Sequence, residues 1–196
     1  ADGTTIQESG TQALRNGMNL PLLFDQIEAV RGSVKCPLIL MGYFNQIMQF
    51  GERSFLERCK EVGIDGIILP DLPLLVYQQE YQALFEEYEL PVSFLITPQT
   101  SEERVIQIDA LSKSFIYMVS NASITGAKSG ISASQIDYFN RINALKLNNP
   151  RLIGFGISSP ETFSTACRYA NGAIIGSAFI QHLKNNKQPI EEAVQE

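Results

Sequence analysis

The sequence is poor in the residues that build metal centres and disulfide frameworks. It has no tryptophan, one histidine, His182, and three cysteines, Cys36, Cys59 and Cys167. No two of these cysteines form a Cys-x-x-Cys pair, whereas zinc sites need closely spaced ligands and disulfide frameworks need an even set. We therefore expect no metal in this chain. The odd count favours a reducing, cytoplasmic compartment.

Positive charge and long apolar segments are also scarce. Lys and Arg number 15 against 21 Asp and Glu, which gives a net charge of −6. A nucleic-acid groove needs clustered basic residues, and a membrane helix needs about 20 consecutive apolar residues. We expect neither. Because 44% of the residues are hydrophobic, we predict one domain with a substantial core over residues 1–196.

Short apolar runs alternate with amphipathic segments along the chain. The runs are rich in Ile, Leu and Val without polar alternation, which is typical of parallel strands buried on both faces. We predict strands at 37–43, 64–69, 91–96, 114–119, 151–155 and 172–175. We predict helices at 4–16, 20–30, 52–62, 76–88, 101–111, 132–146, 160–169 and 178–184. A helix follows each strand, so the pattern predicts an α/β fold.

Six βα units fit either a doubly wound open sheet or a closed (β/α)8 barrel, the TIM-barrel fold. A complete barrel needs eight strands and about 250 residues, so the sequence falls short by about two units. It opens on Ala1-Asp2-Gly3 without an initiator Met. We therefore expect a barrel whose first two strands are missing. An opened barrel of this kind should be unstable alone, because it exposes strand edges.

Two glycine-bearing strand ends near the C-terminus suggest an anion site. The segment 154–156 (Gly-Phe-Gly) precedes a helix that begins at Pro160, with Ser159 as a plausible N-cap. Gly176-Ser177 ends the next strand and opens another helix. In barrels, the loops after the last two strands often bind phosphate through backbone N–H groups. The alternative is that these glycines only make tight turns.

Other polar residues at strand ends are candidates for chemistry. The loop 120–131 is longer than an ordinary βα turn and could be a lid or a plain solvent loop. Asp71 and Asp2 are acid–base candidates, and Tyr43 and Tyr117 stand near strand ends. Each of them could equally cap a helix or stabilise a turn. The residues alone do not choose among these roles.

An ordered set of motifs over nearly the whole chain resembles the α chains of tryptophan synthase. The motifs are Ala1-Asp2-Gly3 with Ile6-Gln7, Met41-Gly42-Tyr43-Phe44-Asn45, Asp71-Leu72-Pro73, Ser123-Ile124-Thr125-Gly126-Ala127, Gly154-Phe155-Gly156-Ile157-Ser158 and Gly176-Ser177-Ala178. A single Gly-Phe-Gly or Gly-Ser would be a weak signal. The full set, in this order and spacing, is a specific one.

The resemblance implies a (β/α)8 barrel that cleaves indole-3-glycerol phosphate to indole and glyceraldehyde 3-phosphate. This is a retro-aldol lyase reaction, and the α chain uses no cofactor or metal. The family further implies that Asp2 hydrogen-bonds the indole N–H and helps remove its proton, while a separate Glu protonates C3 of the indole. Thr125 would order the lid and Tyr117 would line the pocket. The implied phosphate residues are Gly126, Phe155, Gly156, Gly176 and Ser177, and the implied indole contacts are Met41, Ile68, Phe155 and Ile174.

The resemblance also bears on partners and on the activity of these residues alone. In the family, α chains dock on a β subunit that carries pyridoxal phosphate, in an α2β2 tetramer. Asn45, Asp71 and Pro73 would lie toward that interface. The family's catalytic Glu lies upstream of the Ala-Asp-Gly motif, and Glu8 and Glu28 fall on later helices. We therefore expect little lyase activity from these 196 residues alone.

Two other hypotheses about function remain open from the sequence alone. The chain could be another phosphate-binding barrel, such as indoleglycerol-phosphate synthase or phosphoribosylanthranilate isomerase. It could also act as a non-catalytic activator that binds the β subunit. Indole release would test the first alternative, and titration into β would test the second.

Overall fold

A computed structural model describes residues 3–120, 131–154 and 156–194. It contains seven short strands, all of them parallel to their neighbours. They are β1 (Ile39–Met41), β2 (Gly66–Ile68), β3 (Val92–Ser93), β4 (Leu95–Ile96), β5 (Ile116–Val119), β6 (Arg151–Gly154) and β7 (Gly172–Ala173). Every predicted strand position is confirmed, although the observed strands are shorter.

Helices fill the intervals between the strands. They are α1 (Thr4–Arg15), α2 (Leu20–Arg31), α3 (Phe44–Phe50), α4 (Glu52–Val62), α5 (Leu74–Val76), α6 (Gln82–Glu87), α7 (Glu102–Leu111), α8 (Ala133–Ala144), α9 (Pro160–Tyr169), α10 (Ser177–Asn185) and α11 (Ile190–Ala193). A π-helical turn, Tyr77–Tyr81, joins α5 to α6. Among the described residues, no helix is long and apolar enough to cross a membrane.

Sequence signals explain where several helices begin and end. The side chains of Ser101, Ser132 and Ser159 accept hydrogen bonds from backbone N–H groups in the first turns of α7, α8 and α9. Helix α4 ends at Gly63, whose φ of +77° favours glycine. Helix α3 was not predicted, although Phe44 and Ile47 show helical spacing and are buried.

The strands form two neighbouring groups in the order β1-β2-β3 and β4-β5-β6-β7. The predicted strand at 91–96 is split because its two halves pair with different neighbours, β3 with β2 and β4 with β5. The Phe94 ring packs 5.1 Å from the ring of Tyr77, and its carbonyl accepts a hydrogen bond from Tyr117 N. Phe94 thus points toward the helices, while Ser93 and Leu95 share the opposite face of the strand.

The core lies between the strands and the helices around them. Phe24, Phe55 and Leu56 fill it near β1 and β2, and Phe85 and Phe139 fill it farther along the chain. The first helix after β7 returns to the start of the chain, because α10 packs on α1. Gln181 Nε2 donates to Thr5 Oγ1 at 3.2 Å, and Lys184 pairs with Glu8 at 3.5 Å. This contact brings residues after Gly3 beside the end of β7.

Candidate active site

The predicted indole contacts of the first strands lie side by side on one face. Met41 pairs with Ile68 in the β1–β2 register, and Ile68 pairs with Ser93 in the β2–β3 register. Side chains at paired positions of parallel strands project to the same face. Ile68 is buried, whereas Met41 is 46% exposed at the edge. Together they make an apolar wall of the kind that a flat ring needs.

Tyr117 occupies the same face of the second strand group. It pairs with Leu95 on one side and Leu152 on the other, and it is buried. Its ring and hydroxyl lie directly over Gly154, where an added Cβ would overlap them. Position 154 is therefore a glycine for packing, beyond any role in a turn. Ile174 follows β7, two residues after Gly172, which pairs with Leu152 and so shares the face of Tyr117.

The predicted phosphate residues that the structure describes are exposed at the carboxyl ends of β6 and β7. Gly156 has a φ of +78°, and an added Cβ there would have nothing within 4 Å. Gly176 is the N-cap of α10, and Ser177 is its first residue. The first hydrogen bond of this helix runs from Ile180 N to Gly176 O, so the N–H groups of residues 177–179 precede its ladder. Such a helix start attracts anions.

Helix α1 lies next to this helix start. An added Cβ at Gly176 would lie 3.8 Å from Ile6 Cδ1. Gly3 is the N-cap of α1 and accepts hydrogen bonds from Ile6 N and Gln7 N. The fold therefore places the segment that follows Asp2 close to the start of α10. Asp2 itself lies outside the described residues, as do Thr125, Gly126, Phe155 and most of the predicted lid.

The three predicted partner contacts are exposed at the same edge of the sheet. Asn45 lies on α3, and Asp71 and Pro73 lie in the loop between β2 and α5. The Asp71 carboxylate also accepts a hydrogen bond from Phe44 N, at 2.9 Å to Oδ1 and 3.1 Å to Oδ2. The capping role that the sequence left open for Asp71 is thus present, because this carboxylate holds the start of α3.

Sequence reasoning missed three polar groups. Ser93 is 1% exposed on the face shared with Ile68, and its Oγ has no hydrogen-bond partner in the part of the chain that the structure describes. Arg141 of α8 donates to the carbonyls of Pro98 and Thr100 at 2.9 and 3.1 Å. Asp109 accepts hydrogen bonds from Asn148 and Asn149. No local sequence pattern marks these groups. The partners of Arg141 and Asp109 lie about 40 residues away in the sequence, and Ser93 has no partner among the described residues.

Other reactive groups offer little chemistry. Burial raises the pKa of the Cys59 thiol to about 12, so it is protonated at neutral pH and is a poor nucleophile. In the part of the chain that the structure describes, no three His, Cys, Asp or Glu side chains are grouped to hold a metal ion. The strand ends with their apolar wall and glycine-rich turns are the best candidate site.

Parallel strands alternating with helices, functional candidates at the carboxyl ends of the strands, and the return of α10 to α1 fit a protein of the TIM-barrel class. Comparison with known proteins agrees. The model of the tryptophan synthase alpha chain family matches residues 1–196. The chain belongs to this family, and its function is that of an α subunit in tryptophan biosynthesis, a lyase.

Curated relatives and solved structures give the same result. The chain is 59% identical to the tryptophan synthase alpha chain of Flavobacterium johnsoniae over 95% of this chain and 74% of that one. It is 53% identical to that of Bacteroides fragilis, over 99% and 73%. The α-subunit structure from Pyrococcus furiosus has a TM-score of 0.87 at 33% identity, over 97% of this chain and 76% of that one. The tryptophan synthase complex of that organism also gives 0.87, at 33% identity over 98% and 76%. These findings favour the barrel over an open sheet, and the α chain over another phosphate-binding barrel.

Proposed function

We propose that the reaction of this α subunit is the cleavage of indole-3-glycerol phosphate to indole and glyceraldehyde 3-phosphate. The observation that carries the proposal is the pairing of an apolar wall with a helix start on one edge of the sheet. Met41, Ile68 and Ile174 supply apolar surface for the indole ring, and Tyr117 lines the slot. Gly156, Gly176 and Ser177 supply exposed backbone for the phosphate. Thr125, Gly126 and Phe155 complete the proposed site from outside the described residues.

The proposed reaction needs two carboxyl groups. It needs no cofactor bound to the α chain. Asp2 accepts the hydrogen bond of the indole N–H and helps remove its proton. A carboxylic acid supplied by a Glu protonates C3 of the indole. The bond between C3 and the glycerol phosphate carbon then breaks, and its electron pair restores the indole ring, which keeps or regains the N–H proton from Asp2. The hydroxyl on the released carbon gives its proton to the Glu carboxylate, so that this carbon becomes the aldehyde of glyceraldehyde 3-phosphate. A low-polarity slot suits this chemistry because electrostatic interactions are stronger away from water.

The anion site can be tested by Ser177→Glu. A Glu in the first turn favours the helix through its dipole, so the fold should be retained, but its charge would repel a phosphate. We expect indolepropanol phosphate to bind about tenfold or more weakly, while indole itself binds as before. Isothermal calorimetry measures both affinities. Binding is the readout because it does not need the catalytic acid.

Ser164→Glu is the matched control for this variant. It makes the same charge change at an exposed position within α9, and it should leave both affinities unchanged. If the Ser177→Glu protein and the unaltered chain bound indolepropanol phosphate with equal affinity, the proposed phosphate site would be contradicted.

We also propose a β subunit carrying pyridoxal phosphate as the partner of this chain, in an α2β2 assembly. One of the similar solved structures is a tryptophan synthase complex. The exposed Asn45, Asp71 and Pro73 stand beside exposed apolar side chains, Met48 at 54% and Leu75 at 56%. Exposed apolar groups among polar residues are typical of a protein interface.

Titration into an isolated tryptophan synthase β subunit tests this partner. We expect the turnover of serine and indole to tryptophan to rise and then saturate as the chain is added. This result would hold for a catalytic subunit and for a non-catalytic activator alike. Unchanged turnover at saturating chain, together with no change in the sedimentation of β, would refute the proposed partner.

A further inference from the structure

A second concave site lies beside the proposed active site. It is a cavity of about 230 Å³ between the loop after β2 and the loop after β4. Its lining includes Leu72, Pro73, Leu74, Phe94, Arg104 and Ile108. Of the predicted site residues that the structure describes, only Pro73 takes part. The cavity shares no lining residue with the proposed indole and phosphate positions, although its Leu95 pairs with Tyr117 of the indole slot.

The cavity surface is part polar and part apolar, and its apolar side chains are fixed in place. Leu72, Leu74, Phe94 and Ile108 are all buried. The loop after β4 is held by Thr97 N, which donates to Thr100 Oγ1 at 2.9 Å, and by Arg141, which binds the carbonyls of Pro98 and Thr100. A preformed apolar wall loses little conformational entropy when a ligand binds.

Arg104 supplies the one formal charge in the lining. Within the described ranges, its side chain makes a single long hydrogen bond, from Nη1 to Gln107 Oε1 at 3.4 Å. Among the described residues it forms no ion pair with a carboxylate, and the neighbouring Glu102 and Glu103 are exposed on the first turn of α7. Arg104 is half-buried, so its guanidinium is partly shielded from water. A planar guanidinium with unused donors matches a carboxylate in geometry and charge.

We propose that this cavity binds a small organic carboxylate with an apolar body, whose carboxylate pairs with Arg104. The apolar body would contact Leu72, Leu74 and Phe94. The cavity is smaller than the roughly 300–1,000 Å³ of pockets for drug-sized ligands, so the ligand is about the size of one ring with a short acid chain. The site stands independently of the lyase function. Pro73 belongs both to the cavity lining and to the surface proposed to contact the β subunit. A ligand bound in the cavity would therefore lie next to that surface.

Hydrocinnamate is a suitable probe, with hydrocinnamyl alcohol as its uncharged match. We expect hydrocinnamate to bind the full chain at about 1 mM, a range typical of so small a ligand. It should bind about fivefold more tightly than the alcohol, a modest ratio because Arg104 is partly exposed. Amide NMR shifts at Thr100, Arg104 and Ile108 should report the site, and saturating inorganic phosphate should not displace the probe.

Arg104→Gln separates charge pairing from nonspecific apolar binding. The variant should bind hydrocinnamate about fivefold more weakly and the alcohol equally well. Arg15→Gln makes the same charge change on an exposed position of α1, and it should leave both affinities unchanged. The proposal is overturned if Arg104→Gln leaves the carboxylate affinity unchanged. It is also overturned if shifts appear at Met41 and Tyr117 instead, or if nothing binds at about 10 mM.

Discussion

Gly154→Ala should both destabilise the protein and damage the proposed indole slot. An added Cβ would overlap the ring and hydroxyl of Tyr117, which is 5% exposed and sits between β4 and β6. The ring must leave its position or the strands must separate. We expect the free energy of unfolding to fall by about 2–3 kcal/mol, within the range for overpacked cores. Urea unfolding measures the loss, and the affinity for indolepropanol phosphate should fall with it.

Gly172→Ala is the matched control on the next strand. Its Cβ would lie 3.0 Å from Leu152 Cδ2, the tip of a flexible side chain that can move by a few tenths of an ångström. Its cost should be clearly smaller. Combining Gly154→Ala with Tyr117→Leu should recover part of the lost stability, since the clash partner is gone. If the two single costs simply add, Tyr117 is not the cause.

Asp109→Asn should cost about 3 kcal/mol of unfolding free energy at neutral pH. The Asp109 carboxylate is 5% exposed and accepts hydrogen bonds from the backbone and side-chain nitrogens of Asn148 and Asn149 at 2.9–3.1 Å. These bonds tie α7 to the chain just before β6. An amide at 109 would turn one acceptor into a donor facing other donors. Chemical denaturation at pH 7 gives the measured value.

The same carboxylate predicts a pH dependence with a definite sign. Burial raises the pKa of Asp109, but the hydrogen bonds from Asn148 and Asn149 outweigh burial, so its pKa lies below the ordinary value. The unfolded chain, with a pKa of about 3.9, therefore takes up the proton first as the pH falls. The stabilisation is complete well above that value and is lost as the pH drops through the folded pKa. The difference between the unaltered protein and Asp109→Asn should thus shrink below about pH 4.

Asp137→Asn is the control for this experiment. Asp137 is exposed on α8, so its replacement should change stability by at most about 0.5 kcal/mol. A cost of similar size in both variants would count against a special role for Asp109. A gap between the unaltered protein and Asp109→Asn that does not narrow in acid would contradict the lowered pKa.

The fold was largely readable from the chain because its signals are local. Apolar runs of strand length recur between amphipathic segments, and all six strand positions hold strands. Serine caps and Gly63 mark helix ends through bonds and backbone angles within a few residues. Helix α3 was missed because its start is capped from a distance by Asp71. The division of the strand at 91–96 was missed because it depends on which strands its two halves pair with.

For the proposed site too, some features follow from the sequence and others from tertiary packing. The sequence by itself determined the order of βα units, the glycines at strand ends and the motifs of the α-chain family. Only the tertiary structure decided that Gly154 makes room for Tyr117, that Asp109 is held by two asparagines, and that Arg104 lines a cavity beside Leu72 and Phe94. Local propensity and periodicity are written in neighbouring residues. Side-chain contacts across 30 or 40 residues exist only once the strands and helices have packed.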